Sequence, residues 1–339
     1  MNKISIQTFI LFLLILSLSG CGTEISNIRE SEAESEIVSS KFLHNESDVK
    51  EVEISSERNT IEYAGEPFEK SIFETGSEMI YTYGIKEEGA YFLGQMQIEG
   101  DIFQEFVVDI DKNMRAFNMV VDEQGNCHIL WMSVEKIEIN NQLFDAITNE
   151  KSMITIVNTS GMVVNEIDVT AIFSLGYGRP YSFIVDREGN YYFESVNQII
   201  QVLEEGTLGS IVTCDGSVEG IGIGKSGALY ATYRLENGET WLGAVEENTT
   251  CTSKVQMPEA DAIYKGIYTG IDCELLFFNK SNGIYSYSEN GIEERVPISQ
   301  LPVSGEEMGG YGFLSDGRFC VLSQSDVDTM FYYVPSAVD

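Results

Sequence analysis

A short turn of the form Asp-x-x-Gly-Asn recurs between pairs of apolar segments in this chain. Its repetition constrains the fold more than any other feature. Met119-Val120-Val121 leads into Asp122-Glu123-Gln124-Gly125-Asn126, and Cys127-His128-Ile129-Leu130 follows at once. Phe183-Ile184-Val185 leads into Asp186-Arg187-Glu188-Gly189-Asn190, and Tyr191-Tyr192-Phe193 follows. Looser copies run from Ile221 to Tyr230 around Gly227, from Tyr268 to Phe278 around Asp272-Cys273, and from Tyr311 to Val321 around Gly317. An early weak copy spans Tyr81 to Leu93 around Gly89. The Asp carboxylate suits backbone N–H groups two residues on, and Gly takes the positive-φ position. Such a turn directs its flanking segments into an antiparallel hairpin.

A second hairpin follows most of these. Ile199-Ile200-Gln201-Val202 turns at Glu205-Gly206 into Ser210-Ile211-Val212. Ile154 to Val157 turns at Ser160-Gly161 into Val163-Val164, and Ile284 to Tyr287 turns at Asn290-Gly291 into Arg295 to Ile298. Each unit is therefore four short strands. The turn positions 89, 125, 189, 227, 273 and 317 are separated by 36, 64, 38, 46 and 44 residues. A period of about 40–45 residues with four strands per unit is the pattern of a β-propeller. Six blades fit the count, with seven as the alternative. The long interval contains Lys136 to Lys151, read as an inserted loop or a lengthened strand pair. A lone strand near Tyr332 needs an N-terminal strand to complete the last blade and remove an open edge. A β-sandwich and a solenoid are the competing folds, and a sandwich leaves the repeated turns unexplained.

Composition agrees with an all-β reading and narrows the partners. Tyr 17, Phe 18 and Gly 31 stand against Pro 6, the balance of aromatic strands punctuated by Gly turns. With 54 acidic and 20 basic side chains the formal charge is −34. That charge repels phosphate backbones and anionic headgroups, so no nucleic acid is expected as a partner.

The N-terminus reads as a targeting segment. Lys3 supplies a positive start, and Ile10 to Leu16 is an unbroken apolar run, too short for a membrane span of about 20 residues. Leu18-Ser19-Gly20-Cys21 comes directly after it and resembles the lipobox of bacterial lipoproteins. The resemblance implies cleavage of residues 1–20 as a signal peptide and lipidation of Cys21 by a diacylglyceryl thioether, usually with a further fatty acyl chain such as palmitate on the new amine. Two or more acyl chains hold a protein stably on a bilayer. The expected location is the cell membrane, facing outside the cytoplasm. Residues 22–64 carry 11 acidic and 4 basic side chains, many Ser and few aromatics. They are read, with Cys21, as a flexible acidic tether. The propeller is placed at residues 65–339.

Cys127, Cys214, Cys251, Cys273 and Cys320 remain, an odd number without metal spacing. Cys127, Cys273 and Cys320 fall in apolar strands and read as buried small hydrophobes. A Cys214–Cys251 bridge is left open. His44 lies in the tether, and His128 sits in an apolar strand, where a hydrogen-bonded structural imidazole is the expected role. No nucleophile elbow, P-loop or zinc-protease motif is present. Asp109-Ile110-Asp111-Lys112-Asn113 begins like a calcium loop but has Met114 and Val120 where Gly and Glu are needed. No cofactor, metal or catalytic residue is assigned.

The Asp-x-x-Gly-Asn turns resemble those of bacterial six-bladed propellers of the NHL and lactonase-like kind over most of residues 75–335. Residues 282–287 and 314–318 also resemble a propeller region that some bacterial lipoproteins carry ahead of a family 1 extracellular solute-binding domain. The sequence ends at Asp339 and is expected to lack that domain. In a propeller, ligands usually meet the loops entering the inner strands and those joining the second strand to the third. Those loops carry Arg115, Asn118, Arg179, Tyr181, Lys265 and Tyr311, then Trp131, Glu194, Arg234 and Lys280. Arg115, Trp131, Arg179, Tyr181, Lys265 and Tyr311 are taken as the candidate ligand-binding residues, since Arg and Lys beside aromatic rings suit an anionic or sugar ligand. Lys86, Lys112, Arg187, Lys225 and Arg318 fall on the opposite face in similar number, so charge does not select an entrance. The expected function is a membrane-anchored binding or interaction module for a solute, glycan or partner protein. An envelope-assembly scaffold and a metal-dependent lactonase or lyase are the alternatives.

Overall fold

The computed structural model describes residues 43–44, 50–51, 54–55, 60–62, 70–76, 79–85, 91–97, 102–108, 111, 113–139, 142–174, 182–246, 250–258, 266–279, 282–301, 308–315, 317–324 and 329–334. The signal segment and Cys21 lie outside them.

Six antiparallel four-stranded units follow one another, and the protein is an all-β propeller. Blade 1 comprises Lys70–Gly76, Met79–Ile85, Tyr91–Gln97 and Ile102–Val108. Blade 2 comprises Met114–Val121, Cys127–Ile139, Gln142–Val157 and Val163–Asp168. Blade 3 comprises Phe183–Val185, Tyr191–Ser195, Gln198–Val202 and Leu208–Thr213. Blade 4 comprises Ser217–Ile223, Leu229–Arg234, Thr240–Glu246 and Thr250–Gln256. Blade 5 comprises Gly266–Thr269, Leu275–Asn279, Gly283–Ser288 and Gly291–Pro297. Blade 6 takes Met308–Phe313, Phe319–Gln324 and Thr329–Val334 from the C-terminal region and Thr60–Glu62 as its fourth strand. The first strand of each blade contacts the first strand of the next, and that of blade 6 returns to that of blade 1. The ring is thereby closed.

Closure depends on the pairing of Met330, Phe331 and Tyr332 with Glu62, Ile61 and Thr60. The expected N-terminal partner of this strand lies inside residues 22–64, the segment whose composition suggests a tether. A three-residue strand carries no apolar run of its own. Its stability comes from backbone pairing with an edge that is already formed, so composition alone does not reveal it. Ile54–Ser55 adds to the same edge, and Leu43–His44 and Lys50–Glu51 pair with the outer strand of blade 1.

Blade 1 also departs from the expected frame. Met79–Ile85 and Tyr91–Gln97, on either side of Gly89, are its second and third strands rather than its first and second. The 64-residue interval is a lengthened strand pair: Cys127–Ile139 and Gln142–Val157 stay paired out to Ile139↔Gln142. A bulge after Met132 interrupts the ladder, and the Ser133 hydroxyl accepts from the Lys151 N–H across it at 3.0 Å.

Side chains alternate between the two neighbours of each blade. Ile129 and Trp131 pack with Tyr81, Tyr83, Leu93 and Phe106 of blade 1. Leu130 and Met132, one residue out of phase, pack toward Phe183, Tyr191 and Phe193 of blade 3. Leu229, Ala231 and Tyr233 join Ile199 and Val212 of blade 3, while Tyr230 joins Phe277 of blade 5. Leu276 and Phe278 turn to Phe313 and Phe319 of blade 6. With both faces buried, these strands read as continuous apolar runs instead of alternating ones.

The hairpin turns share one geometry. At Asp122, Asn158, Asp186, Leu203, Gly224, Leu235 and Leu314 the carbonyl accepts from a Gly N–H three residues on. Those glycines all have φ between +74° and +88°. A type I turn followed by a left-handed Gly gives this three-residue connection. Asp122 Oδ1 accepts from the N–H groups of Gln124 at 2.9 Å and Asn126 at 2.8 Å, and Asp186 does the same for Glu188 and Asn190. Asn158 caps its turn likewise.

Two of these glycines carry different burdens. At Gly227 a Cβ would meet nothing within 4 Å, whereas at Gly161 it would lie 2.1 Å from the ring of buried Phe106. Gly227→Ala should therefore cost only the left-handed strain, about 1–2 kcal/mol. Gly161→Ala adds overpacking, for about 2–5 kcal/mol in total. Urea unfolding of the two variants checks the order, and equal losses would contradict this packing.

Candidate functional site

The first strands of the blades end on one face of the ring, and a cavity of about 530 Å³ opens among those ends. Its walls come from Val120 and Val121 of blade 2, Ile184 and Val185 of blade 3, Gly222 and Ile223 of blade 4, Ile267 and Ile271 of blade 5, and Phe313 and Leu314 of blade 6. Asp122, Glu123, Asp186, Arg187, Lys225, Thr269 and Ser315 also line it. They stand at or just beyond the strand ends, so an apolar throat lies behind a charged mouth. Gly222 matters for this geometry. A Cβ there would sit 2.5 Å from the Ile267 side chain and 2.7 Å from its carbonyl oxygen, so only Gly lets blades 4 and 5 approach so closely.

The charged groups of the mouth are held by partners from adjacent blades. Arg187 Nε donates to Glu123 Oε1 at 2.7 Å, joining blades 2 and 3. Both side chains are more than half exposed, so water screens the pair and it serves placement more than stability. Lys225 Nζ donates to the Ile271 carbonyl, and the Lys225 N–H donates to the Glu274 carbonyl at 3.0 Å. The Ser226 N–H and hydroxyl both donate to the Glu274 carboxylate. Thr269 donates to the Ile223 carbonyl at 2.8 Å, and the Tyr268 hydroxyl donates to the Tyr311 carbonyl at 3.0 Å. The Tyr81 hydroxyl donates to the Gly125 carbonyl at 2.7 Å, which ties blade 1 to the first turn of blade 2.

Asp122 and Asp186 are spent on architecture. Asp122 Oδ2 accepts from Asn126 Nδ2 at 2.8 Å and lies 3.1 Å from His128 Nε2. Asp186 Oδ2 accepts from Asn190 Nδ2 at 3.0 Å and from the Tyr192 hydroxyl at 3.1 Å. His128 is buried, and its Nδ1 lies 3.0 Å from the Tyr191 hydroxyl of blade 3. Its imidazole therefore bridges two blades, the structural role expected of it.

The candidate ligand residues are not gathered at this cavity. Arg179, Tyr181 and Lys265 lie outside the described residues, as do Lys280, Lys86 and Lys112. Arg115 stands at the opposite end of its strand from the cavity and donates to the Met114 carbonyl at 2.7 Å. Trp131 is 5% exposed and packs edge-on against Tyr83, with ring centroids 5.6 Å apart. Tyr311 packs on Phe278 at 4.6 Å. Arg234 is paired with Glu219 at 2.7 Å, and Glu194 is buried and accepts from Ser182 at 2.6 Å. Arg187 and Lys225, which the sequence places on the face opposite the candidate residues, are the basic side chains lining the mouth among the described residues. Their position at i+1 of successive inner turns was the available signal, since that offset places both at the same end of the channel.

No protein-family model matches the chain, and no curated protein matches it. Solved structures do. The PQQ-bound aldose sugar dehydrogenase of Streptomyces coelicolor is 7% identical with a TM-score of 0.49, over 86% of this chain and 98% of that one. The XC5397 gluconolactonase of Xanthomonas campestris is 11% identical with a TM-score of 0.46, over 85% and 96%. The Pan2 WD40 domain of Neurospora crassa is 7% identical with a TM-score of 0.44, over 82% and 95%.

Asp122 gives the mouth a pH dependence. Burial would raise its pKa, but the hydrogen bonds from His128 and from the Asn126 side chain and N–H together hold it below the usual carboxylate range. A carboxylate depressed on folding stabilises the fold above its unfolded pKa, and the gain is lost as pH falls through the folded value. The melting temperature should therefore fall as pH drops below about 4, the unfolded Asp value. Asp122→Asn should melt lower at pH 7 and show a shallower acid slope. Melting curves from pH 7 to pH 2 test this, and an unchanged slope in the variant would contradict it.

Proposed function

We propose that this protein is a lipid-anchored lipoprotein on the outer side of a bacterial cell membrane, and that its propeller binds a compact solute in the central channel. The order of Lys3, the apolar run Ile10 to Leu16, and Leu18-Ser19-Gly20-Cys21 supports the anchor. The cavity carries the binding reading. At about 530 Å³ it falls in the ordinary range for small-molecule sites, and apolar walls with a few fixed polar groups at the mouth are their usual lining. A solute with an apolar body and a polar end fits this arrangement best. Its body would contact Val120, Ile184, Ile223, Ile267 and Phe313, and its polar end would stay at the mouth. A hydrolase that ligates a metal through oxygens needs carboxylates aimed at one point. Asp122 and Asp186 instead turn theirs to the backbone and side chains of their own hairpins, so binding is favoured over lactonase or lyase chemistry.

Two experiments test the two halves separately. Cys21→Ser should move the protein from the membrane fraction to the soluble fraction, and retention in the membrane would remove the anchor. Native mass spectrometry of the soluble Cys21→Ser chain, purified without chelator, should show a retained small molecule. Ile271→Trp places bulk on a turn at the cavity mouth and should abolish that adduct with little change in melting temperature. An apo mass for the parent would redirect the reading to a partner protein. An adduct that survives Ile271→Trp would move the site elsewhere.

A further inference from the structure

Blades 3 and 4 are joined in a way that no other neighbouring pair is among the described residues. The outer strand of blade 3, Leu208–Thr213, and the outer strand of blade 4, Thr250–Gln256, pair in parallel at Thr213↔Thr250. The next residue on each strand is a cysteine. A parallel register puts Cys214 and Cys251 side by side with their side chains on the same surface. Adjacent strands lie about 5 Å apart, and a disulfide needs Cα atoms roughly 4.4–6.8 Å apart. Burial agrees with the register: both threonines are exposed, while Cys214 is 3% and Cys251 8% exposed. Both thiols belong to the apolar cluster between the two blades, with Val212, Val218 and Tyr233. Gly243 leaves the room, because a Cβ there would lie 2.5 Å from Cys251 Sγ.

We propose that Cys214 and Cys251 are a disulfide-forming pair that fastens the outer edges of blades 3 and 4. The Cys214 thiol donates a hydrogen bond to Cys251. This bond, with burial adding to it, pushes Cys214 up, and the same bond pulls Cys251 below the ordinary cysteine value. Exchange can open at either sulfur and gives the same bond; one route starts from the Cys251 thiolate. In exchange with a small-molecule disulfide, its sulfur forms a mixed disulfide and expels one thiolate. Cys214 sulfur then attacks Cys251 sulfur and expels the second. The protein thiols lose two electrons and two protons, and the small disulfide is reduced to two thiols. Cys127, Cys273 and Cys320 lie on blades 2, 5 and 6 and take no part. Since both sulfurs are buried, the bond forms as the blades fold together and is afterwards shielded from reductant.

The test uses the full chain carrying Cys21→Ser, refolded from reduced, unfolded protein in a glutathione redox buffer. The product is alkylated under denaturing conditions without reductant, and its peptides are mapped. The expected result is a linked Cys214–Cys251 peptide pair, with Cys127, Cys273 and Cys320 alkylated. Alkylation of both Cys214 and Cys251, or linkage of either to another cysteine, overturns the proposal. Cys214→Ser should leave Cys251 open to alkylation or glutathionylation, and a Cys251 still bonded within the protein would refute the pairing. The oxidised protein should melt several degrees above the same protein in reductant. Equal melting temperatures would overturn the fastening role.

Discussion

The propeller depends on every blade burying both of its faces. A single four-stranded sheet of this size hides little apolar surface alone, and here each face is covered by the next sheet around the ring. Period-two alternation divides the work between neighbours. Leu275 and Phe277 serve the interface with blade 4, and Leu276 and Phe278 serve the interface with blade 6. Such an arrangement is stable only when closed, because an open ring would leave two apolar sheet faces and an unpaired edge in water. Thr60–Glu62 is therefore worth more than three residues of pairing suggest. It completes the last sheet, against which the first must pack.

Closure also fixes the channel. Polar ties from one blade to the next cross at the turn face: Tyr81 to Gly125, Glu123 with Arg187, His128 with Tyr191, Thr269 to Ile223 and Tyr268 to Tyr311. Each sets the angle between two sheets where their inner strands end. The cavity behind them inherits its shape from those angles. Hydrophobic packing supplies most of the cohesion, and these few directed bonds decide where the strand ends stand.

Much of this architecture could be read from the chain before any coordinates. Local chemistry forms the turns, so Asp122 and Asp186 announced theirs through residues no more than four positions away. The apolar runs announced strands, and the burial of both their faces emerges only from the packing between blades. Three things were hidden. The closing strand was too short to leave a pattern. Blade 1 was placed out of phase because Gly89 looked like the inner-turn glycines although it follows a second strand. The cavity face was not legible, because the charge count was equal on both sides. Trp131 and Tyr311 pack against Tyr83 and Phe278 and do not line the cavity. An aromatic ring near a strand end serves the core as readily as a ligand, and only its register decides which.

The same polar residues that make the turns recognisable limit what the mouth can do. A carboxylate that accepts two backbone N–H groups and a side-chain amide has few lone pairs left for a ligand. Asp122 and Asp186 are in that position, and Lys225 and Arg187 are drawn toward a carbonyl and a carboxylate of adjacent turns. In the proposed binding role, selectivity would rest largely on the shape of the throat between Val120, Ile184, Gly222, Ile267 and Phe313. Shape selection by apolar walls discriminates by size, at about 1–3 kcal/mol per methylene. If the channel binds a solute as proposed, it would distinguish solutes by the length and bulk of their apolar part more sharply than by the identity of their polar end.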